Sequence, residues 1–346
     1  MTSLLARLAV VLGAAAIPLG GAPAQVRRSN QATSGLDSRI DQYARAFNGS
    51  VGIAVRSIDE GWKVGWQDTM LCPQQSVSKF WVALTAMEKV DQGRLSLDDR
   101  VTLTREDLTL FHQPIAAKIL GQGQATTSVG DLLFDAITKS DNTANDRLMR
   151  AAGGPSAVRS FIARHNLGAI RFYEGERLLQ SKIAGLIWSQ NYSIGDAFYK
   201  ARDALPLRVR QAAFNQYLSD PYDGAAPGSI VDALAKLKRG ELLSPASTAK
   251  LLSIMGNTKT GANRLKGGLK PGWSLSHKTG TGQILGAVQA GYNDIGILTA
   301  PDGSSYSIAV MIKKTATPLP VRMTLMNNVV RAVIDAHEAR RGVATL

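Results

Sequence analysis

Cysteine is almost missing from this chain of 346 residues, which contains only Cys72. No intrachain disulfide can form, so packing must stabilise the fold. Histidine is scarce as well, and the four histidines show no metal-ligand spacing: His112, His165, His277 and His337. This disfavours a zinc enzyme, and we expect neither a metal nor another cofactor.

Acidic residues are outnumbered, with 27 Asp and Glu against 40 Lys and Arg and a formal net charge of +13. The basic residues are scattered, without the long or aromatic-interleaved runs that nucleic-acid binding favours. We therefore expect a solvated basic surface that attracts anionic substrates, and no nucleic-acid partner. We also expect a monomer.

Long apolar runs are missing outside the N-terminus. There Arg7 precedes an apolar run from Leu8 to Ile17, which Ala22-Pro23-Ala24 follows. This layout predicts a signal peptide over residues 1–24, because the run is too short to span a membrane. The alternative is an uncleaved N-terminal anchor. We expect a periplasmic or secreted protein without stable membrane insertion after cleavage.

The remaining residues, 25–346, are predicted to form one domain with a sizeable core, since 45% of the chain is hydrophobic. Alternating apolar residues from Ser50 to Trp66, around a turn at Asp59-Glu60-Gly61, predict a β-hairpin. From Phe80 to Val90 the chain is apolar nearly all round, which predicts a buried helix that starts near Ser76.

Further patterns complete the element list. Helices are predicted at Val129–Ile137, Thr143–Ala152, Ala157–His165, Ile230–Lys238, Pro245–Met255 and Val321–Arg340, and strands at Trp273–Lys278, Ala287–Tyr292, Ile295–Thr299 and Tyr306–Ile312.

Strands at both chain ends therefore enclose a helical middle. This order predicts an α+β fold with several layers, in which an antiparallel sheet built from both ends is flanked by helices and lies beside an all-helical lobe. The expected α/β lobe covers about 36–75 and 262–342, and the all-α lobe covers about 76–261.

Ser76 and Lys79 form the first candidate for chemistry. At i and i+3 on a helix their side chains share a face, so the amine can hydrogen-bond the hydroxyl and take its proton. The start of a helix also favours negative charge near the backbone N–H of Ser76. The spacing alone is weak evidence, since a second match, Ser247-x-x-Lys250, lies inside a predicted helix and is interpreted as an ordinary helix turn.

Two further motifs follow in order. Ser140-Asp141-Asn142 precedes a predicted helix, and Lys278-Thr279-Gly280 ends a predicted strand that could hold a substrate amide by backbone pairing. Another Lys-Thr-Gly, at 259–261, follows a helix and is interpreted as a chance match.

With these three motifs in order, the chain resembles the class A serine β-lactamases and, more distantly, the penicillin-binding transpeptidases. The resemblance covers nearly the whole mature chain and includes Gly240–Ser244, Pro271-Gly272-Trp273 and Asn293-Asp294-Ile295. It implies a β-lactamase/transpeptidase-like fold and hydrolysis of the amide bond of β-lactam antibiotics.

The resemblance also implies residue roles. Ser76 would be the nucleophile and Lys79 the proton acceptor or relay, while Ser140 would pass a proton to the departing nitrogen. The substrate-binding residues would be Asn142 for the acylamino side chain, Lys278 and Thr279 for the carboxylate, and Thr281, whose backbone N–H would complete an oxyanion hole with that of Ser76.

Hydrolysis of the acyl-enzyme requires a further base. Glu174, in Arg171-Phe172-Tyr173-Glu174-Gly175-Glu176, resembles the glutamate of the family's Ω-shaped loop and is our choice for a base that activates water. The alternatives are Glu176, or that both glutamates are exposed loop charges.

Two departures from the family concern this loop. Leu178 stands where the family has an asparagine that helps to hold the hydrolytic water, and an insertion enlarges the loop between Gln180 and Asp223. A helix-compatible stretch, Asp196–Tyr217, could cover the site mouth or change the water position.

Other residues are weaker candidates. Phe111 or His112 could line the site entrance, although Phe111 fits the core equally well. His277 is expected on a strand surface, and Arg322 could supply an arginine near the substrate carboxylate.

The missing amide at Leu178 favours a rival interpretation, a penicillin-binding D-Ala-D-Ala peptidase or a slowly deacylating lactam-binding protein. A non-catalytic envelope-binding module is a third interpretation. The joint presence of Ser76, Lys79, Ser140 and Lys278 argues against it.

Overall fold

An antiparallel sheet built from both chain ends is the centre of the computed structural model, which describes residues 24–341, with side chains from residue 33 onward. The strands in the described residues are β1 (Gly49–Ser57), β2 (Lys63–Trp66), β3 (Cys72–Pro73), β4 (Arg100–Leu103), β5 (Ala125–Ser128), β6 (Gly224–Ala225), β7 (Ser274–Thr281), β8 (Ile284–Leu285), β9 (Val288–Thr299) and β10 (Ser305–Thr315). The main sheet has the order β2-β1-β10-β9-β7, and β8 also pairs with β9.

Helices lie on both faces of this sheet. In the same part of the chain they are α1 (Ala24–Ala46), α2 (Lys79–Asp91), α3 (Ala116–Gln122), α4 (Val129–Phe134), α5 (Asn142–Ala151), α6 (Gly154–Arg164), α7 (Glu176–Ile183), α8 (Ala197–Ala204), α9 (Leu207–Ser219), α10 (Pro227–Lys238), α11 (Pro245–Gly256) and α12 (Leu319–Arg341). All except α1 and α12 lie between β3 and β7 in the sequence. The α+β fold predicted from the sequence is confirmed.

The sheet buries both of its faces. Ile53 and Val55 of β1 belong to the core that includes α1 and α12, whereas Ala54 between them belongs to the core of the central helices. This alternation follows from the two-residue period of a strand. The sheet is therefore the shared floor of two hydrophobic cores.

Helix α2 is the buried centre of the helical layer. Every residue from Lys79 to Glu88 is buried, as a helix that is apolar all round requires. A 3-10 turn, Gln75–Ser78, precedes it and carries Ser76. The packing of α2 thus fixes the position of the candidate nucleophile.

Strand β9 is one continuous strand, whereas the sequence predicted two. The two predicted strands, Ala287–Tyr292 and Ile295–Thr299, left out the polar residues Asn293 and Asp294. Both are fully buried, and each finds partners there: Asn293 Nδ2 donates to the Pro73 and Gln74 carbonyls at 2.7 and 3.0 Å, and the Asp294 carboxylate lies 2.9 Å from His277 Nδ1.

The insertion between Gln180 and Asp223 forms a packed layer. The helix-compatible stretch is two helices, α8 and α9, which Pro206 separates. Phe214 and Tyr217 of α9 are buried with Leu179 and Ile183 of α7 and with Ala290 of β9. The enlarged loop is therefore anchored on the sheet.

The two short strands β3 and β6 join the end of the insertion to the residues before the nucleophile. Cys72 of β3 pairs with Ala225 of β6. The Cys72 thiol is buried, and desolvation raises its pKa to about 12. This pairing brings the loop end beside the start of the nucleophile turn.

Within residues 24–341, none of the helices has the length and apolar character needed to cross a membrane. The predicted signal peptide lies outside the described residues, apart from Ala24 at its end.

Candidate active site

Ser76 and Lys79 meet at the start of α2. Lys79 Nζ donates to Ser76 Oγ at 2.7 Å, and the lysine side chain is fully buried. Gln75, the residue before Ser76, has a left-handed backbone with φ of 54°. This turn, together with the first turn of the helix, sets the one-turn spacing at which a serine hydroxyl and an amine can exchange a proton.

Ser140 reaches the same site from the other side. It has φ of 60° and follows a π-helical turn, Asp135–Lys139. Asp141 fixes the loop, because its carboxylate accepts the N–H groups of Ala144 at 2.9 Å and Ile115 at 2.7 Å. These bonds give Asp141 a structural role in the loop.

Lys278 binds Ser140 across the site. Its Nζ donates to Ser140 Oγ at 2.9 Å and to the Thr279 carbonyl at 2.9 Å. Complete burial, followed by the neighbouring charge of Lys79, lowers the pKa of Lys278 well below its usual range. The two lysine amines thus lie in a part of the site from which water is largely excluded.

Gly280 lets the end of β7 pass close to the nucleophile turn. A Cβ at this position would lie 2.3 Å from the Gln74 carbonyl oxygen and 3.2 Å from the Val77 nitrogen. Only glycine permits this approach without a shift of the backbone. The end of β7, which includes Thr281, is thereby held against the turn that carries Ser76.

Glu176 is the acidic residue that the structure brings to this centre. Its carboxylate contacts Lys79 Nζ and is 3% exposed. Glu174, our choice from the sequence, is 42% exposed and pairs with Arg159 at 3.0 Å. The expected placement of Glu174 is therefore corrected in favour of the alternative, Glu176.

The reason lies in the glycine between the two glutamates. Gly175 has φ of 95°, and a Cβ there would lie 2.8 Å from Met149 Cε and 3.1 Å from Asp146 Oδ1. The chain therefore presses into the core at Gly175, so that α7 begins with Glu176 directed inward. Motif similarity could not show this turn.

Asp146 of α5 holds the start of α7. Its two oxygens accept the Glu176 N–H, at 3.0 and 3.1 Å. Burial, and then the nearby Glu176 carboxylate, raises the pKa of Asp146 to about 6.

A side-chain amide does reach Glu176, but it belongs to Gln180 rather than to the position of Leu178. Gln180 Nε2 lies 3.2 Å from Glu176 Oε2, whereas Leu178 is 42% exposed. The offset follows from the choice of Glu174, since both assignments were two residues early. The missing amide therefore no longer favours the rival interpretation.

Two residues were missed from the sequence. They lie beside the strand that is expected to bind the substrate carboxylate. Arg264 donates to the Gly280 carbonyl at 3.0 Å, the Asn293 carbonyl at 2.7 Å and Thr281 Oγ1 at 2.6 Å. Thr260 Oγ1 lies 2.6 Å from Thr279 Oγ1. The second Lys-Thr-Gly, interpreted as a chance match, thus packs against the first. The repetition of the motif at a short distance along the chain was the signal that could have indicated this contact.

Arg322, the arginine proposed from the sequence, is buried on the α12 side. Its Nε donates to the Thr317 carbonyl at 2.7 Å, and its guanidinium lies 5.3 Å from the centre of the Tyr292 ring. Arg264 lies on the same ring at 3.8 Å. Arg264, not Arg322, therefore contacts the Lys278-Thr279-Gly280 strand and its neighbour Thr281.

His277 is buried rather than on a strand surface. Its Nδ1 lies 2.9 Å from Asp294 Oδ1, and only 1% of the residue is exposed. The pair joins β7, the strand that carries both His277 and Lys278, to β9.

Asn142 connects the helical side of the site to its mouth. Its Nδ2 donates to the Leu110 carbonyl at 2.8 Å, and its N–H donates to the His112 carbonyl at 2.9 Å. Between these two residues Phe111 is 38% exposed and packs edge-to-face on Phe198 of α8, with ring centres 5.0 Å apart. The insertion thus contacts the mouth of the site.

The second S-x-x-K match, which contains Ser247, takes part in a contact between two helices. Ser247 is buried in α11, and its hydroxyl donates to Asp91 at 2.6 Å. Ser247 therefore supports the contact between α11 and α2, as an ordinary helix residue would.

Comparison with known proteins agrees with this geometry. A family model described as "Beta-lactamase enzyme family" matches residues 35–337. Beta-lactamase VEB-1 of Pseudomonas aeruginosa is 26% identical over 88% of this chain and 90% of its own length. The extended-spectrum beta-lactamase PER-1 of the same organism is 28% identical over 81% and 80%.

Solved structures of beta-lactamases also share this fold. The TLA-1 extended-spectrum beta-lactamase superposes with a TM-score of 0.73 at 27% identity, covering 88% of this chain and 99% of its own. A beta-lactamase from Chitinophaga pinensis gives 0.73 at 25% identity, covering 87% and 99%. The chain therefore belongs to the beta-lactamase enzyme family, and it is a serine hydrolase of the class A β-lactamase type.

Proposed function

We propose that this enzyme hydrolyses β-lactams through an acyl-enzyme at Ser76, with Glu176 as the base of the hydrolytic step. One observation carries the proposal: Lys79 Nζ contacts both Ser76 Oγ, at 2.7 Å, and the buried Glu176 carboxylate. A single amine thus connects the nucleophile to an internal base, which is what activation of a serine hydroxyl requires.

Acylation begins when Ser76 Oγ attacks the lactam carbonyl carbon. The amine of Lys79, after giving a proton to Glu176, takes the hydroxyl proton. The bond between carbonyl carbon and lactam nitrogen then breaks, and Ser140 Oγ donates a proton to that nitrogen while it takes one from Lys79. Lys79 recovers its proton from Glu176, which leaves that carboxylate ready to act as a base. Lys278, 2.9 Å from Ser140 Oγ, orients the hydroxyl during this transfer.

Substrate binding uses the end of β7 and the start of α5. The backbone N–H groups of Ser76 and Thr281 would stabilise the negative oxygen of the tetrahedral intermediate. Lys278 and Thr279 would hold the substrate carboxylate, and Asn142 would bind the acylamino side chain. Arg264 adds a positive charge beside Thr281.

Deacylation uses the same carboxylate in a second role. Glu176 takes a proton from water, and the hydroxide attacks the ester carbonyl. When the carbon–oxygen bond to Ser76 breaks, the proton returns to Ser76 Oγ. The buried position of Glu176, beside Lys79 and Gln180, suits a base that must work without bulk water.

The proposal is tested with a chromogenic cephalosporin and intact-mass measurement of the purified protein. We expect rapid turnover, together with a transient mass increase that Ser76→Ala abolishes. A stoichiometric, long-lived adduct on the unaltered enzyme would favour a penicillin-binding protein instead. The absence of any adduct and any turnover would overturn the proposal.

We also propose that the enzyme acts as a monomer in the periplasm or outside the cell, with an α/β lobe over about 36–75 and 262–342 and an all-α lobe over about 76–261. The apolar run that follows Arg7 and ends before Ala22-Pro23-Ala24 supports export. Cell fractionation and size-exclusion chromatography of the mature protein test these two points.

A further inference from the structure

Tyr217 belongs to the insertion, yet its hydroxyl reaches the residue that precedes the nucleophile. The side chain lies in α9 and is fully buried. Its hydroxyl lies 2.8 Å from Asp223 Oδ1 and 2.5 Å from Gln75 Nε2. A residue of the inserted helix is thus in direct contact with the turn that carries Ser76.

The direction of these hydrogen bonds is determined by Asp223. Its other oxygen accepts the Gln75 backbone N–H at 2.7 Å. An ionised carboxylate only accepts, so the Tyr217 hydroxyl must donate to it and offer its lone pair to the NH2 group of Gln75. Burial, and then the charge of Asp223, raises the pKa of Tyr217 well above its usual range, so the hydroxyl keeps its proton.

The orientation of the Gln75 amide also determines the hydrogen bonds that lead on to Glu176. Because the NH2 group of Gln75 faces Tyr217, its Oε1 faces Gln180 and accepts from Gln180 Nε2 at 2.9 Å. The NH2 group of Gln180 also donates to Glu176 Oε2, at 3.2 Å. Gln283 fixes the opposite end, since its Nε2 donates to Gln180 Oε1 at 2.9 Å.

The opposite orientation of the Gln75 amide would be unfavourable for Glu176, where this chain of hydrogen bonds ends. If the Gln75 amide turned over, its NH2 group would face the NH2 group of Gln180. Relief of that clash would turn the Gln180 carbonyl oxygen toward the Glu176 carboxylate, where two acceptors repel. The Tyr217 hydroxyl selects the orientation that supports an ionised Glu176.

The backbone around Gln75 shows that this arrangement is built into the sheet. Gln75 has a left-handed backbone, which a non-glycine residue adopts only under constraint. A Cβ on Gly282 or Gly291 would lie 3.1 Å from its side chain. The two glycines leave the space that this side chain occupies.

We propose that Tyr217 is a positioning residue for the hydrolytic step, acting through Gln75 and Gln180 to hold Glu176. The inference rests on the proposed role of Glu176. It assigns the inserted helix α9 to the deacylation machinery of this enzyme, in addition to its packing on the sheet.

The test compares Tyr217→Phe with Tyr222→Phe. Both substitutions remove one hydroxyl from neighbouring rings, whose centres are 5.8 Å apart, but only Tyr217 contacts Gln75. With the chromogenic cephalosporin, we expect Tyr217→Phe to slow deacylation about tenfold or more while acylation changes less than about threefold. Acyl-enzyme should accumulate, so kcat and KM should fall together, and Tyr222→Phe should match the unaltered enzyme.

A double-mutant cycle then asks whether Tyr217 acts through Gln180. Gln180→Met removes the last amide before Glu176, and in that background Tyr217→Phe should change deacylation less than about twofold. A purely structural role would give multiplicative effects and slow both chemical steps together. Either of those results would overturn the inference.

Asp223→Asn provides a second variant if Tyr217→Phe does not fold. The asparagine oxygen must face the Gln75 N–H, which leaves its NH2 group facing Tyr217 and reverses the hydroxyl. Deacylation should slow as in Tyr217→Phe, and unchanged deacylation would contradict the inference. Failure of the proposed function is recognised separately, because the unaltered enzyme would then show no adduct or no turnover.

Discussion

Both carboxylate oxygens of Asp146 accept the backbone N–H of Glu176, at 3.0 and 3.1 Å. A buried acid therefore fixes the first residue of α7, and its charged form is not solvated by water. Its pKa of about 6 lies above the ordinary value of 3.8, mainly because of burial. The effect on stability follows from this shift.

Asp146→Asn should stabilise the enzyme at neutral pH. The folded state binds the Asp146 proton more tightly, so this group lowers the free energy of unfolding as pH rises from about 4 to about 6, and it remains unfavourable above that range. Asparagine keeps an acceptor for the Glu176 N–H without the charge. We expect a gain on the order of 2 kcal/mol at pH 7.5 and almost none at pH 4, measured by urea denaturation. An equal gain at both pH values would contradict this account.

The two glutamates on either side of Gly175 should behave differently. Glu176→Gln is expected to leave a long-lived acyl-enzyme and to reduce turnover at least about a hundredfold, because the buried base is lost. Glu174→Gln removes only an exposed ion pair with Arg159, so turnover should change less than about twofold. Intact-mass time courses distinguish the variants, and a stable adduct in Glu174→Gln would show that the structural assignment is wrong.

Gly280→Ala should disturb the contact between β7 and the nucleophile turn. Its Cβ would lie 2.3 Å from the Gln74 carbonyl oxygen, so the strand or the turn must move. We expect a destabilisation of about 1–3 kcal/mol and acylation at least about tenfold slower.

Gly35→Ala is the matched control for that substitution. Gly35 lies inside α1 and has no heavy atom within 4 Å of a built Cβ. The change should therefore stabilise the helix by about 0.5–1 kcal/mol and leave acylation unaffected. Thermal unfolding and stopped-flow acylation of both variants check the pair, and equal effects would argue against the steric explanation.

Arg264→Lys should weaken substrate binding more than it weakens chemistry. Lysine keeps the charge but cannot reproduce the bonds of the guanidinium to the Gly280 and Asn293 carbonyls and to Thr281 Oγ1. We expect KM to rise about tenfold, with kcat within about threefold. Arg322→Lys is the control, since Arg322 lies near the same Tyr292 ring but donates to Thr317 and Gln289. A similar KM in both variants would place substrate recognition elsewhere.

The order of three short motifs was sufficient to predict the fold and the arrangement of Ser76, Lys79, Ser140 and Lys278. Each motif lies at the end of an element, where helix or strand patterning determines its position. Strand alternation also predicted which chain ends build the sheet. The positions of the elements depend on local periodicity, which a sequence displays directly, whereas the meeting of the three motifs at one site was implied by the family resemblance.

The placement of Glu174 and Glu176 depends on a feature that periodicity does not display. Glu174 and Glu176 differ by two positions, and the left-handed backbone of Gly175 decides which one turns inward. That conformation depends on the packing of Gly175 against Met149 and Asp146. The contact joins residues far apart in the chain, so it becomes visible only in three dimensions.

The hydrogen-bond chain from Tyr217 to Glu176 was hidden for the same reason. Tyr217 and Gln75 are 142 positions apart, and a helix-compatible insertion indicates nothing about which of its residues is buried. The sequence indicated that the loop was enlarged. It could not indicate that the enlargement reaches the nucleophile turn.

The single thiol of this enzyme is a reporter that needs no engineering. Cys72 is buried in β3, and its thiol faces the Met311 carbonyl of β10, so a thiol reagent can reach it only while this part of the fold is open. Its labelling rate therefore measures how often the segment before Ser76 opens. In an oxidising compartment the same burial protects the enzyme from mixed disulfides for as long as it stays folded.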